Sequence, residues 1–328
     1  MQFFCDDGSS ATKLAWYEGE ELKTLISENS FSDGWQNADM MTKKAFNYEI
    51  NGQRFTHKIS DKDILKTTNI NYQYRIENLL SIQHALQLSG VEPQEIELYV
   101  TLPISEFYTK KATKNEININ RKISNITQKI SLHNGKVFTF KKVHVLPESI
   151  PAVTIDLEKD NVKDLELSLV VDLGGTTLDC GLIQGKYDSL VKMTGDSTLG
   201  VGQIIDDVRD ALIMADTKAN FYITDKIIRA LVSNDNDTLS YLVISPSKLE
   251  PVREILTLAS QRIADRVIKH IEENYDGFHR IYLLGGGAEF LFEAIRKHWH
   301  QLGSKTKKLV DPQLALVKSI ATIKRGTM

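Results

Sequence analysis

Apolar residues in the first fifty positions come in short runs separated by polar turn residues, a pattern of strands rather than helices. One run spans 3–5 and a second 14–17. Polar residues 18–21 then lead into a third over 22–26, so the chain is predicted to open as a β-meander. Phe46, Tyr48 and Ile50 alternate with polar neighbours as a half-buried strand does, and Asn51-Gly52 is a hairpin-turn signal. The period changes between 72 and 88, where Ile76, Leu79, Leu80 and Leu86 fall near helical spacing and Ser89-Gly90 supplies a stop. Strands follow over 96–102 and 143–146, closed by Pro103 and Pro147. Residues 155–166 are acidic and polar and read as a connection between domains. After them a buried-type strand over 167–171 runs into Asp172-Leu173-Gly174-Gly175-Thr176-Thr177, and a second strand covers 178–183. Helices are predicted over 204–214, 249–274 and 289–299, with a strand over 280–284 that ends in Gly285-Gly286-Gly287. Strands and helices in both halves predict α/β architecture.

Setting Asp6 against Asp172 exposes an internal repeat. Phe3-Phe4-Cys5-Asp6-Asp7-Gly8-Ser9-Ser10-Ala11-Thr12 lies over Leu169-Val170-Val171-Asp172-Leu173-Gly174-Gly175-Thr176-Thr177-Leu178, and each copy reads strand, Asp-x-Gly, small residues, strand. Glycine lets the backbone approach a ligand closely, and successive N–H groups around it form a nest for phosphate oxygens. That assigns Gly8, Ser9 and Ser10, with Gly174, Gly175 and Thr176, to a phosphate cradle. Asp6 and Asp172 are too close to phosphate to bind it without repulsion. Their sensible task is to hold a hydrated Mg²⁺ through its waters. Lys13 follows the first turn and can neutralise phosphate charge, while Gly285, Gly286 and Gly287 would let a purine lie against backbone at a helix start. One such hairpin is an ordinary β-turn signal; the pair carries the reading.

Length and charge narrow the picture further. At 328 residues two domains are expected, and 41% hydrophobic with 25% charged residues excludes collagen, long disordered tails and coiled coils. Cys5 and Cys180 cannot staple a chain of this size and suit a reducing cytoplasm. The opening MQFFCDDGSS has no basic or apolar leader pattern, and no apolar run approaches a membrane span, so a cytoplasmic protein with no membrane partner is expected. A net charge of −3 argues against non-specific DNA binding by the whole surface. Nine basic residues and one acid, Glu116, lie between Lys110 and Lys142, so that segment carries +8. It reads as a solvated face or as a contact for an acidic surface such as 156–166 of another copy. His298 and His300 are alternate residues of a predicted helix and diverge, so they do not form a metal pair.

The paired hairpins, with Leu283-Leu284-Gly285-Gly286-Gly287-Ala288-Glu289, resemble the ATPase superfamily of actin, sugar kinases and heat-shock chaperones. Its phosphate 1, connect 1, phosphate 2, adenosine and connect 2 motifs would fall at 6–13, 147–152, 172–179, 283–289 and 311–322. The chain is more specifically similar to the plasmid-segregation actins of the ParM (StbA) type. That resemblance rests on Phe4-Cys5-Asp6-Asp7-Gly8-Ser9, Thr101-Leu102-Pro103-Ile104-Ser105-Glu106-Phe107-Tyr108, Pro147-Glu148-Ser149-Ile150-Pro151-Ala152, the Asp172–Asp179 hairpin, Gly195-Asp196-Ser197-Thr198-Leu199-Gly200-Val201 and Gln313-Leu314-Ala315-Leu316-Val317-Lys318. The departures are Cys5 and Cys180 beside the hairpins and a tail, Lys324-Arg325-Gly326, with no assignable part.

The resemblance implies an actin-like (ribonuclease H-like) two-domain fold with a nucleotide cleft, domain I being 1–160 plus 310–328 and domain II 161–309. It implies an ATPase with Mg²⁺ and ATP, GTP being the alternative nucleotide. Glu148 and Asp172 are the catalytic candidates, Glu148 placing the attacking water. The helix after Gly202, with Asp206, Asp207 and Arg209, would line the ribose side, solvated helix charge being the default reading of each. It further implies a polar filament of this chain that segregates plasmids, a ParR-like centromere-binding adaptor, and only indirect contact with DNA. No Gly-x-x-x-x-Gly-Lys-Ser/Thr occurs, which excludes a P-loop NTPase. A sugar or acid kinase of the same superfamily is the alternative, although no acceptor-binding aspartate is legible. A chaperone would need a further substrate domain, and a membrane-tethered relative a terminal amphipathic helix, for which 321–328 is too short. If the basic segment is a polymer contact, charge reversal at Lys110, Lys111 and Lys114 raises the critical concentration in a sedimentation assay, most at low salt. An unchanged value rejects that reading.

Overall fold

A computed structural model describes residues 1–36, 45–58, 64–109 and 113–326. The first half contains β1 (Gln2–Asp7), β2 (Ala11–Glu18), β3 (Glu21–Glu28), β4 (Phe31–Asp33), β5 (Asn47–Ile50), β6 (Gln53–His57), α1 (Ile76–Leu88), β7 (Glu95–Leu102), α2 (Ile104–Phe107), α3 (Glu116–Ile126), β8 (Ile130–Leu132), β9 (Thr139–Pro147) and α4 (Thr154–Lys159). The second half contains β10 (Leu167–Leu173), β11 (Leu178–Gln184), β12 (Ser189–Asp196), α5 (Gly202–Ala211), α6 (Phe221–Ser233), α7 (Asn236–Leu242), α8 (Glu250–Asn274), β13 (Arg280–Leu284), α9 (Ala288–His298), β14 (Thr306–Lys308) and α10 (Ala315–Gly326).

The repeat seen in the sequence is a repeat of whole sheets. One five-stranded sheet runs β3-β2-β1-β7-β9 and the other β12-β11-β10-β13-β14. In each, an antiparallel meander meets a parallel pair at its central strand. Those central strands are buried on both faces, which is why they read as continuous apolar runs. Successive side chains of β1 point opposite ways. Phe3 and Cys5 pack with Ile82, Ala85 and Leu86 of α1, while Phe4 enters a second core. In β10, Leu169, Val171 and Leu173 face α5, α8 and α9, while Val170 turns to the same core as Phe4. Leu316, Val317, Ile320 and Ala321 of α10 complete that shared core, so one apolar layer fastens the two sheets together.

A smaller sheet, β4-β6-β5-β8, sits beside the first. Its hairpin turns on Asn51 and Gly52 at φ 51° and 77°, the mirror-image turn the sequence predicted. The expected helix over 72–88 is broken: a tight turn, Ile70–Tyr74, precedes α1 because Arg75 is extended at φ −103° and ψ 158°. The acidic connection is partly helical, since α4 forms in it. Strand β12 and helices α6 and α7 carried no recognised signal. The terminal helix α10 begins at Ala315, and its apolar face packs in the shared core. Arg325 in the tail pairs with Glu20 and lies over the Tyr17 ring at 4.2 Å. Of the basic segment, Lys110 and Lys111 lie outside the described residues, and Lys122 is not a surface charge at all but wholly buried. His298 bonds Glu272 at 2.9 Å. Among the described residues no helix is long and apolar enough to cross a membrane.

In the small-sheet core the rings of His57 and His84 stack with centroids 3.7 Å apart, and Phe31 and Phe46 meet His84 edge-on. Burial holds both imidazoles below the ordinary histidine range, His84 by the larger margin, with the neighbouring His57 adding to it. A base depressed in the fold is protonated first in the unfolded chain, so stability is complete above about pH 6.5 and falls as pH drops below it. The expected loss is on the order of 1 kcal/mol per histidine per pH unit. Melting temperatures between pH 7.5 and 5.5 should show it, and a His57→Gln/His84→Gln protein should show a shallower fall. An equal slope contradicts the assignment.

Candidate functional site

The β1–β2 and β10–β11 turns meet at the boundary between the two sheets. Ser9 Oγ lies 2.7 Å from Thr176 Oγ1, and a Cβ on Gly175 would stand 2.8 Å from Ser10 Oγ. The two hairpins are built alike: Asp6 pairs across the strands with Lys13, and Asp172 with Asp179. Buried Asn29 braces the first turn by donating to the carbonyls of Gly8 and Ser9 at 2.7 and 3.0 Å. A cavity opens where the turns meet.

Carboxylates crowd one wall of it. Asp6 is paired with Lys13 at 3.0 Å, and Asp172 accepts from Ser149 Oγ at 2.9 Å. Ser149 sits at φ 67° and ψ −64°, with Ile150 N–H donating to the Glu148 carbonyl at 2.7 Å. This is the γ-turn of positive φ, strained for any residue with a Cβ. It ends β9 and places Glu148 at the cavity. Burial, then Asp6, Asp179, Asp172 and Asp7, push the Glu148 carboxyl well above the usual carboxylate range. Burial and Asp6 raise Asp172 to about 6, against the opposing Ser149 hydrogen bond and Lys13. Burial and Asp172 raise Asp179 to about 7. Burial works to lower the Lys13 ammonium, but Asp6, Asp172 and Glu148 together raise it. The wall therefore carries an excess of buried negative charge that a cation among oxygen donors would relieve. Among the described residues no group of three or more His, Cys, Asp or Glu is placed to grip a metal directly.

The structure brings nearly all of the predicted residues together. Asp6, Gly8, Ser9, Ser10 and Lys13 line the cavity from the first hairpin, and Asp172, Gly174, Gly175 and Thr176 from the second. Glu148, Gly285 and Gly286 join them. Gly285, at φ +81°, must be glycine, because a Cβ would fall 2.2 Å from Asp172 Oδ1. Gly287 is the exception: it packs against Leu173 beneath the start of α9, where a Cβ would meet Leu173 Cδ2 at 2.4 Å, and it does not reach the cavity. The ribose-side expectation is corrected as well. Asp206 pairs with Arg209 and Asp207 with Arg262 away from the cavity, and α5 contributes only Ile205.

The helix that does line the cavity from the second half is α6, through Tyr222, Asp225, Lys226 and Arg229. Asn220 caps this helix, accepting from Ile223 N–H at 2.9 Å. The cap followed by Ile227, Ile228 and Leu231 was the signal that could have found it. Arg229 clasps Asp225 through two nitrogens, at 2.9 and 3.1 Å, and Tyr222 Oη donates across the cleft to the Asn29 carbonyl at 2.6 Å. A second missed set lies deeper. Asp7, Lys122, Asn78 and Gln73 form a buried network, and Gln73 reaches both the cavity and Glu148.

Asp179 gives the site a measurable signature. Its Oδ1 is buried with no partner, while Oδ2 accepts from Thr177 Oγ1 at 3.1 Å. A carboxyl raised in the fold stabilises below its unfolded pKa and costs stability as pH rises through the folded value, here from about 4 to about 7. Asp179→Asn should stabilise the nucleotide-free protein at pH 8 by roughly 2–4 kcal/mol in urea unfolding, with the gain vanishing near pH 4. A variant no more stable at pH 8 contradicts this electrostatic picture.

Comparison with known proteins now bears on the geometry. Residues 1–159 match the family described as "Plasmid segregation protein ParM, N-terminal" and residues 162–323 that described as "Plasmid segregation protein ParM, C-terminal". No curated protein matches the chain. Among solved structures, the actin-like protein Alp7A has a TM-score of 0.72 at 13% identity, covering 99% of this chain and 96% of its own. The 15-stranded ParM filament from Clostridium botulinum gives 0.69 at 14%, with 99% of each chain covered. The archaeal actin homologue Ta0583 in complex with ADP gives 0.67 at 15%, again with 99% of each. These likenesses establish an actin-like fold. With both halves matched almost end to end, the chain belongs to the plasmid segregation protein ParM family.

Proposed function

We propose that this chain binds ATP with Mg²⁺ in the cleft between its sheets, hydrolyses it there, and couples the cycle to growth and loss of a filament that segregates plasmid DNA. The observation that carries the reading is the contact of Ser9 with Thr176: two matched Asp-x-Gly hairpins, one per sheet, face each other over one cavity. The backbone N–H groups near Gly8–Ser10 and Gly174–Thr176 would cradle phosphates, with Lys13 offsetting their charge. The same fold holds ADP in the archaeal homologue. Asp6 and Asp172 would hold Mg²⁺ through its waters, which suits an oxygen-rich wall. The ion, when bound, screens the phosphate oxygens as charge develops in transfer. Gly285 and Gly286, with α6 opposite, would take the nucleoside, ATP by family and GTP as the alternative.

Glu148 is the residue we assign to the attacking water. Burial and like charge raise the Glu148 carboxyl well above the usual carboxylate range, which strengthens it as an acceptor for the water's proton. We further read residues 1–160 with 310–328 as one domain and 161–309 as the other, because α10 returns to pack on β1 and β2. Head-to-tail stacking without rotational closure gives an open helix, the geometry of a pushing polymer. Assembly of a ParM in the botulinum filament supports self-association here. A ParR-like adaptor would join filament ends to DNA. The kinase alternative draws no support from the family match.

Light scattering and negative-stain microscopy with Mg²⁺ and ATP test assembly: filaments form with nucleotide and not without it. Scattering that ATP leaves unchanged overturns the filament reading. For the site, Glu148→Ala should bind nucleotide as the parent does, hydrolyse it about 10²–10⁴-fold more slowly, and form longer-lived filaments. Parental turnover would sink the assignment of Glu148.

A further inference from the structure

We propose that Gln73 is a second partner of the attacking water and that Lys122 positions it by fixing which way its amide faces. This rests on the hydrolytic reading of the cleft. Lys122 is 0% exposed, the one lysine among the largest fully buried side chains of the described residues, and reaches Asp7 from a helix 115 residues away. An ammonium has three donors and no acceptor. All three are used: on the Asp7 carboxylate, on Gln73 Oε1, and on Asn78 Oδ1 at 3.0 Å.

The two ends of an amide are alike in shape, so a neighbour that can only donate decides its orientation. With Oε1 held by Lys122, Gln73 Nε2 faces the Asp7 carbonyl and Glu148 Oε1, at 3.4 Å each. Both contacts are long, and both Gln73 and Glu148 line the cavity. An amide nitrogen has two N–H donors, and contacts this long let Nε2 exchange the one to Glu148 for a water that Glu148 also holds. That donation uses one lone pair of the water oxygen and aims the other. In the step itself the oxygen forms a bond to the γ-phosphorus, the bridging P–O bond breaks with its electron pair leaving on ADP, and the water's proton passes to Glu148.

Fold stability does not explain the network. A buried ion pair returns little over a well-packed apolar pair, and positional specificity is its best-supported use. This protein contains its own control. The second sheet has the same order and the same hairpin, yet the counterpart of Asp7 there is Leu173, buried without any ion pair. Among the described residues this lysine–carboxylate–amide network lies on the side that carries Glu148.

The test is a cycle read by single-turnover hydrolysis at saturating ATP and Mg²⁺, with ADP affinity as the control. Gln73→Met should slow hydrolysis about 10–100-fold while ADP affinity stays within threefold. Lys122→Met with Asp7→Asn removes the lysine without stranding its counter-charge, and should also slow hydrolysis. Combining all three substitutions should be no slower than the slower parent, because Lys122 acts through Gln73. Losses that multiply, or a Gln73→Met protein within threefold of the parent, overturn the proposal. If the Lys122→Met/Asp7→Asn protein does not melt cooperatively, Gln73→Met alone decides through ligand binding. Weaker binding of ADP–aluminium fluoride with unchanged ADP binding supports the proposal, and any other pattern overturns it. A parent protein that binds ATP without hydrolysing it would instead sink the hydrolytic reading.

Discussion

The fold is organised around a meeting of like charges. Asp6, Asp172, Asp179 and Glu148 converge where the two sheets touch, with Lys13 the cation among them. At an effective dielectric near 20, two unit charges about 4 Å apart repel by roughly 4 kcal/mol. At the strand ends the Lys13 ammonium and the Ser149 hydroxyl oppose that repulsion. The arrangement is held from behind, by the apolar layer of Phe4, Tyr99, Val170, Tyr282, Leu284 and the buried face of α10. Hydrophobic burial is non-directional and strong enough in aggregate to fix strand ends where electrostatics would push them apart. The cleft is then a place where added cationic or hydrogen-bonding partners find charge already assembled, so binding does not have to gather it.

The two lobes descend to the same topology but divide the chemistry. Positions that match in the hairpins differ where it matters: Lys13 stands opposite Asp6, whereas Asp179 stands opposite Asp172. Asp7 feeds a buried polar network, whereas Leu173 packs under Gly287. The first lobe therefore supplies a cation, oriented amides and the acid at the end of β9. The second supplies backbone, small residues and a carboxylate held by Ser149. On the proposed reading a duplicated cradle would need both glycine turns, each to admit phosphate, but only one set of groups to handle a proton.

How far the site could be read in the sequence follows from what is local. Both hairpins were legible because strand, aspartate, glycine and returning strand are contiguous, and the repeat exposed them. The Asn51-Gly52 turn was legible for the same reason. The Lys122 network was not, because nothing in the stretch around Lys122 distinguishes a buried ammonium from a solvated one. Its partners, Asp7, Gln73 and Asn78, lie 44 to 115 residues away. Helix α6 was overlooked although its Asn220 cap and isoleucine spacing were present, since its polar face reads as ordinary solvated surface until the cleft is closed over it. Gly285, Gly286 and Gly287 read together as backbone for a purine at a helix start, but one residue further along that start turns the chain from cavity to core. Asp206, Asp207 and Arg209 keep their default reading as solvated helix charge, since a helix whose N-terminal end lies at the cavity presents only its first inward-facing turn to it.

Glu148 is bound into the relation between the lobes through adjacent residues. Its own N–H donates to the Leu102 carbonyl at 2.8 Å, which ties it to the first sheet. The next residue, Ser149, donates its hydroxyl to Asp172, which ties the chain to the second. Between these anchors lies a single strained γ-turn, and a residue held at φ 67° persists only while both ends are fixed. A shift of one sheet against the other by even an ångström must lengthen one of the two hydrogen bonds or release the turn. In either event the carboxyl of Glu148 moves relative to the hairpin N–H groups. Buried side chains such as Ile150, Ala152 and Val153 in the following segment belong to the same shared core as α10, so the turn cannot relax alone. The geometry of the reacting groups is in this way a reading of how the two sheets sit together, which is the quantity that nucleotide contacts to both hairpins would set.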